Sequence, residues 1–194
     1  FEGYDLVTEL EDGTSKLPTN SEGSMTRETI EVIYYYIKQT AVKANYYDIN
    51  SNEKIANEEI INGHEGDQYE TEEKNIDGYE IVLKDRDGNT KYPTNTIGEM
   101  TKDIIEVNYY YIKKTSVTAR YFDIVSGEEI ADQVKKHGLE GDNYTTTEKA
   151  IDKYALVEAN YPENAKGEMK AEPTFVDYYY IRKMKVIVHY VDRD

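Results

Sequence analysis

The segment Ile-Glu-Val-Ile-Tyr-Tyr-Tyr-Ile-Lys at Ile30 to Lys38 returns as Ile-Glu-Val-Asn-Tyr-Tyr-Tyr-Ile-Lys at Ile105 to Lys113, and again as Phe-Val-Asp-Tyr-Tyr-Tyr-Ile-Arg at Phe175 to Arg182. A chain that repeats itself folds into units that repeat. Tyr34 and Tyr109 stand 75 residues apart, and Tyr109 and Tyr178 stand 69 apart. That period is too long for one coil of a solenoid and suits a small module with its own core.

Sliding the chain by 75 residues places 1–38 on 76–113 with more than half of the positions identical, among them Gly3/Gly78, Pro18/Pro93, Asn20/Asn95 and Met25/Met100. In the last copy the offset falls to 69. Leu83 to Lys91 separate Val82 from Tyr92, whereas only Glu158, Ala159 and Asn160 separate Val157 from Tyr161. The longer finger carries Asp12-Gly13 and Asp87-Gly88 at its middle, a signal for a tight hairpin turn with positive φ. Removing an even number of residues shortens both arms equally and keeps the same side chains facing inward. This phasing divides the chain into the C-terminal part of a first module (1–38), a second module (40–114), a third (115–183) and the opening strand of a further one (184–194). Both ends read as cut from a longer array.

The net charge of −16 repels phosphate backbones and anionic lipid, which argues against nucleic acid and membrane partners. No apolar run is long enough for membrane insertion. Twenty Tyr with no Trp and no Cys describe modules with small cores and no disulfides. A Lys to Asn or Asp amide promoted by a buried Glu stays open as a covalent clip, with no triplet assigned.

Strand signals dominate. Val42, Ala44, Tyr46 and Asp48 alternate with Lys43, Asn45 and Tyr47, and the copies at Val117 to Asp123 and Val186 to Asp192 keep the first set while varying the second, so the first set faces a core. In the triple-tyrosine strand Val32, Tyr34 and Tyr36 share one face, and Ile33, Tyr35 and Ile37 the other. Position 33 becomes Asn108 and Asp177, so the second face is wet at that end. Gly63 to Tyr69 and Gly138 to Tyr144 read as glycine-punctuated turns. Thr71 to Gly78 suits a single short helical turn, and Gly78 becoming Lys153 marks a left-handed backbone there as tolerated, not required. The expected fold is mainly β, α+β at most: tandem small β-grasp-like modules in an elongated rod, with at most one short helical turn each.

These residues resemble the MucBP (mucin-binding protein) repeats of Gram-positive bacterial surface proteins. The opening Val-x-Val-x-Tyr-x-Asp strand is similar to Val42 to Asp48, Val117 to Asp123 and Val186 to Asp192. The Gly-x-x-Gly-x-x-Tyr turn matches Gly63 to Tyr69 and Gly138 to Tyr144. Gly-Tyr-x-Leu/Val is seen at Gly3 to Val7 and Gly78 to Val82, and Pro-x-Asn-x-x-Gly-x-Met with the closing Val-x-Tyr-x-Tyr strand at Pro93 to Met100 and Val107 to Tyr111. The resemblance implies an extracellular protein, wall-anchored through a region outside this fragment. It also implies adhesion to mucin or other host glycoprotein glycans, with a non-binding spacer (stalk) as the alternative.

Exposed tyrosines are the binding candidates, because an aromatic face packs on the C–H face of a sugar. Tyr36, Tyr111 and Tyr180, nearest the charged end of the closing strand, are the expected ligand contacts. Burying ~80 Å² per ring contributes roughly 2 kcal/mol. Millimolar affinity needs roughly 4 kcal/mol, so several modules must act together. Asp85, Asp87 and Asn89 raise a weak calcium candidate, set against a plain hairpin turn. His64, His137 and His189 fall at non-equivalent positions with no recurring Ser or Cys partner, so no catalytic residue and no cofactor is expected.

Overall fold

The computed structural model describes residues 1–193, and among them regular structure is nearly all β. In chain order the strands are β1 (Tyr4–Leu6), β2 (Tyr36–Asp48), β3 (Lys54–His64), β4 (Gln68–Glu70), β5 (Tyr79–Ile81), β6 (Ile97–Glu99), β7 (Ile105–Asp123), β8 (Glu129–Leu139), β9 (Asn143–Thr145), β10 (Tyr154–Leu156), β11 (Lys166–Glu168) and β12 (Thr174–Arg182). The chain packs as two compact units, the first Phe1–Ile76 with Ile81–Tyr111, the second Asp77–Glu80 with the described residues from Ile112 onward.

The first unit is built on β2. Its start pairs with β1 (Tyr4↔Lys38, Leu6↔Tyr36) and its remainder pairs antiparallel with β3 (Gln39↔His64 to Tyr47↔Lys54). On its other side it runs parallel to the first half of β7, from Val42↔Ile105 to Asp48↔Tyr111. Two-residue alternation then does what the sequence pattern requires: Val42, Ala44, Tyr46 and Asp48 are buried, as are Val107, Tyr109 and Tyr111. The second unit repeats the plan, with β8 antiparallel and β12 parallel to the second half of β7 and a core of Val117, Ala119, Tyr121, Tyr144, Met169, Val176, Tyr178 and Tyr180.

Tyrosine, where phenylalanine would pack as well, has a specific use here. Tyr46 stacks on Tyr109 at 5.6 Å, and Tyr121 on Tyr178 at 5.6 Å. Each hydroxyl then reaches a loop of no regular structure, whose backbone groups would otherwise lack partners. Tyr46 donates to Glu72 O (3.2 Å), Tyr109 shares a hydrogen bond with Thr71 Oγ1 (3.0 Å), and Tyr111 donates to Lys74 O (2.9 Å) while accepting Lys74 N–H (2.8 Å). The third copy repeats this with Tyr121 on Thr147 O, Tyr178 on Thr146 Oγ1 and Tyr180 on both backbone groups of Lys149. Lys74 and Lys149 lie over the Tyr46 and Tyr121 rings at 4.4 and 4.7 Å. Their ammonium groups close the carbonyls of Asn57 and Asp132, at the bulges of β3 and β8.

The two long fingers turn as expected at Gly13 (φ 82°) and Gly88 (φ 85°). Gly13 N–H bonds Leu10 O and Gly88 N–H bonds Asp85 O. Two expectations are corrected. Thr71 to Gly78 holds no helical turn, because the tyrosine hydroxyls take the backbone groups a helix would use. The one short 3₁₀ turn among the described residues is Glu158–Asn160, where the shortened finger of the last copy leaves no arms to pair. Positive φ at the Gly78 position is required after all: Gly3 (73°), Gly78 (76°) and Lys153 (63°) all adopt it. The carbonyl there accepts Gln39, Lys114 or Lys183 N–H in turn.

The expected opening strand at 184–194 is not formed over 184–193, and Asp194 lies outside the described residues. Val186, Ile187, Val188, Tyr190 and Val191 are exposed. Its counterparts in β2 and β7 are strands that pair antiparallel with β3 and β8. Residues 31–35 of the first copy are likewise outside any strand.

Candidate functional site

The face of each parallel pair opposite the tyrosine core is open. In the first unit it carries Lys43, Asn45 and Tyr47 from β2 beside Glu106, Asn108 and Tyr110 from β7, in register. The Tyr47 and Tyr110 rings lie 6.1 Å apart at 32°, both partly exposed. At the floor between them and the charged end, buried Asn45 donates through its amide to the Glu106 carboxylate and to Asn108 Oδ1 (3.1 Å). Aromatic surface beside fixed amide and carboxylate groups is the chemistry that meets a sugar's C–H face and its hydroxyl rim.

The second unit presents the same arrangement with different residues. Phe122 and Tyr179 lie 6.1 Å apart, again at 32°. Arg120 replaces Asn45 and Asp177 replaces Asn108, and the two form a bidentate pair at 2.7 and 2.8 Å. The guanidinium also covers the ring of Phe175 at 4.4 Å and approaches that of Phe122 at 5.4 Å. Its charge is matched where it sits by the Asp177 carboxylate.

Of the three expected ligand tyrosines, Tyr111 and Tyr180 are 1% and 2% exposed. They share their face with Val107 and Val176, and their hydroxyls are spent on Lys74 and Lys149, so they clamp loops and offer no ring to solvent. Burial pushes both phenols above the ordinary tyrosine range. Tyr36 is 40% exposed and meets Phe1 edge-on at 4.8 Å. The rings that do reach solvent on the opposite face are Tyr110 and Tyr179, with Tyr47 and Phe122 across the ladder. The signal for them was in the strand: polar Asn108 and Asp177 stand two residues before Tyr110 and Tyr179, on one face.

The calcium candidates gather around Asp85 in a different role. Its carboxylate accepts the backbone N–H of Asn89 (2.8 Å), the Asn89 amide (3.1 Å) and Asp87 N–H (3.1 Å), and these bonds hold it below the usual carboxylate range. Asp87 and Asn89 therefore turn N–H donors to Asp85 where a cation would need oxygens, and the cluster is a hairpin cap. Among the described residues no group of three or more His, Cys, Asp or Glu is placed to hold a metal ion.

The family described as MucBP domain matches residues 1–37, 41–112 and 116–181. The chain belongs to the MucBP domain family. It is 32% identical over 205 residues to internalin J of Listeria monocytogenes serotype 4b, a match covering 99% of this chain and 20% of that protein. Internalin I of the same serotype is 26% identical over 169 residues, covering 84% of this chain and 9% of that protein. This chain thus spans about a fifth of internalin J and less of internalin I. Among solved structures, the type 2 repeat of the mucus binding protein MUB from Lactobacillus reuteri is 14% identical at a TM-score of 0.28, covering 74% of this chain and 100% of that one. A crystal structure of Mub-RV is 8% identical at 0.29, covering 74% and 99%. Among the described residues no helix is long and apolar enough to cross a membrane.

Proposed function

We propose that these MucBP copies are the repeat region of a bacterial surface adhesin, making weak multivalent contacts with mucin or other host glycoprotein glycans through the open faces of the parallel pairs. The reading places the chain outside the cell, held to the wall through a region beyond this fragment, and gives it no catalytic role. One observation carries it: an aromatic pair of the same spacing and tilt, flanked by amide, carboxylate or guanidinium groups, recurs at equivalent positions in two copies that otherwise differ there. Tyr47/Tyr110 and Phe122/Tyr179 take the role expected of Tyr111 and Tyr180, while Tyr36 remains available in the first copy. A glycan array probed with the wild-type chain and with Tyr47→Ala/Tyr110→Ala/Phe122→Ala/Tyr179→Ala tests it. Signal present in the first and absent in the second supports recognition. Silence of both on every glycan makes the copies a stalk.

A further inference from the structure

Along β2 the open face does not end at Tyr47. Residues of one parity share a face, so Gln39, Ala41, Lys43, Asn45 and Tyr47 line up, and their cross-strand partners join them: Asn62 opposite Ala41, His64 opposite Gln39, and Asp5 of β1 opposite Ile37. At this end lies a cavity of about 390 Å³ lined by Asp5, Gln39, Thr40, Asn62, Gly63 and His64, within the size range of roughly 300–1,000 Å³ typical of small-ligand sites. Asp5 belongs to the first copy and His64 to the second, so the cavity exists only where two copies meet within the first unit.

Its polar groups are held in place by one another. His64 Nε2 lies 2.7 Å from Asp5 Oδ2, and the Gln39 amide donates to Asp5 Oδ1 at 2.9 Å. His64 N–H is fixed in turn by Asp67 Oδ2 at 2.7 Å. These bonds hold Asp5 below the usual carboxylate range. Asp5, Asp67 and the neighbouring Glu65 disfavour an anion. A ring of hydroxyls suits the site, because each hydroxyl donates to a carboxylate and accepts from an amide.

We infer that this junction cavity is a subsite for one neutral pyranose unit, on the same face as the Tyr47–Tyr110 pair and about 26 Å along the strand from it, at ~3.3 Å per residue. The inference rests on the glycan reading and sharpens it: the first unit's face takes an extended neutral saccharide, not an acidic one. The second junction lacks the constellation, since Glu80, Lys114 and Leu139 stand where Asp5, Gln39 and His64 do, and it is the internal control.

Amide NMR titration of the whole 194-residue chain with methyl glycosides of galactose, glucose and N-acetylglucosamine, and separately with sialic acid, tests this. Saturable shifts are expected at Gln39, Asn62 and His64 with a neutral glycoside, and none at Lys114 or Leu139. His64→Leu and Gln39→Lys, which copy the second junction and so preserve the fold, weaken that binding at least about tenfold at unchanged melting temperature. The inference is overturned if no neutral glycoside moves these amides, if sialic acid alone moves them, or if the shifts survive both variants. Shifts at Tyr47 and Tyr110 without shifts at the cavity overturn the subsite and leave the aromatic-face reading intact. Cavity shifts without any at Tyr47 and Tyr110 support the subsite and overturn the aromatic face.

Discussion

Tyr180→Phe isolates the hydroxyl clamp, because the ring keeps its packing and only one oxygen leaves. In the third copy that oxygen donates to Lys149 O and accepts Lys149 N–H, both at 2.9 Å, and the residue is 2% exposed. Two hydrogen bonds at about 1 kcal/mol each give a loss of about 2 kcal/mol, rising toward ~4 kcal/mol if both backbone groups stay dry. A 2 kcal/mol loss is roughly a 30-fold change in the unfolding equilibrium. Urea unfolding followed by near-UV circular dichroism reads the global effect, and hydrogen exchange at the Lys149 amide reads the local one. Tyr36→Phe is the matched control at the equivalent position, where the structure gives the hydroxyl no loop to hold; it stays within about 0.5 kcal/mol of wild type. If Tyr180→Phe also falls within 0.5 kcal/mol, roughly the range of neutral surface changes, and Lys149 exchanges as slowly as before, the account of why these cores are built from tyrosine is wrong.

Thr115 is 7% exposed and its Oγ1 has no hydrogen-bond partner among the described residues, so Thr115→Val removes an uncompensated polar atom at constant shape and raises stability by about 1 kcal/mol; a lower thermal midpoint contradicts this. Lys153 holds φ 63°, and Lys153→Gly relieves the left-handed penalty of about 1–2 kcal/mol against a smaller entropic cost of glycine. A net gain is expected by calorimetry. At high pH the tyrosines set the limit. The Tyr92 phenol is pushed up to about 12 by donating to the Glu73 carboxylate and by burial, and burial raises Tyr46, Tyr109, Tyr111, Tyr121 and Tyr180. Unfolded tyrosine titrates near about 10, so the folded state keeps protons that the unfolded chain releases. This contribution to stability is complete below that value and lost as pH climbs through it toward the folded values. Urea midpoints should decline from there, with phenolate absorbance of the core rings rising only as the chain unfolds.

Much of this fold was legible because strand alternation is a strict rule. The burial of Val42, Ala44, Tyr46 and Asp48 follows from parity alone, as do the hairpin fingers from Asp12-Gly13 and Asp87-Gly88. The loop at Thr71 was not legible because capping residues say where a helix could start, and they do not say that Tyr46 and Tyr111 take its backbone groups while Tyr109 takes the Thr71 hydroxyl. Asp48 shows the same limit: its burial was legible, but its role of accepting Asn50 and Ser51 N–H in the β2–β3 turn needed the geometry. For the site, nearness to a charged strand end points to Tyr111 and Tyr180, whereas strand parity points to Tyr110 and Tyr179. Val107, Tyr109 and Tyr111 already formed the core set, and in the second and third copies the middle tyrosine of the triplet is the one left outside.

Recognition through these faces must grow with the number of them left intact. Retention of the chain on a mucin-coated sensor surface measures this directly, comparing wild type with Tyr47→Ala/Tyr110→Ala, with Phe122→Ala/Tyr179→Ala, and with all four substitutions. If the faces act together, each double variant dissociates faster, and the quadruple variant loses retention by a factor near the product of the two losses. Equal retention of wild type and quadruple variant, at matched folding, would contradict recognition through these faces.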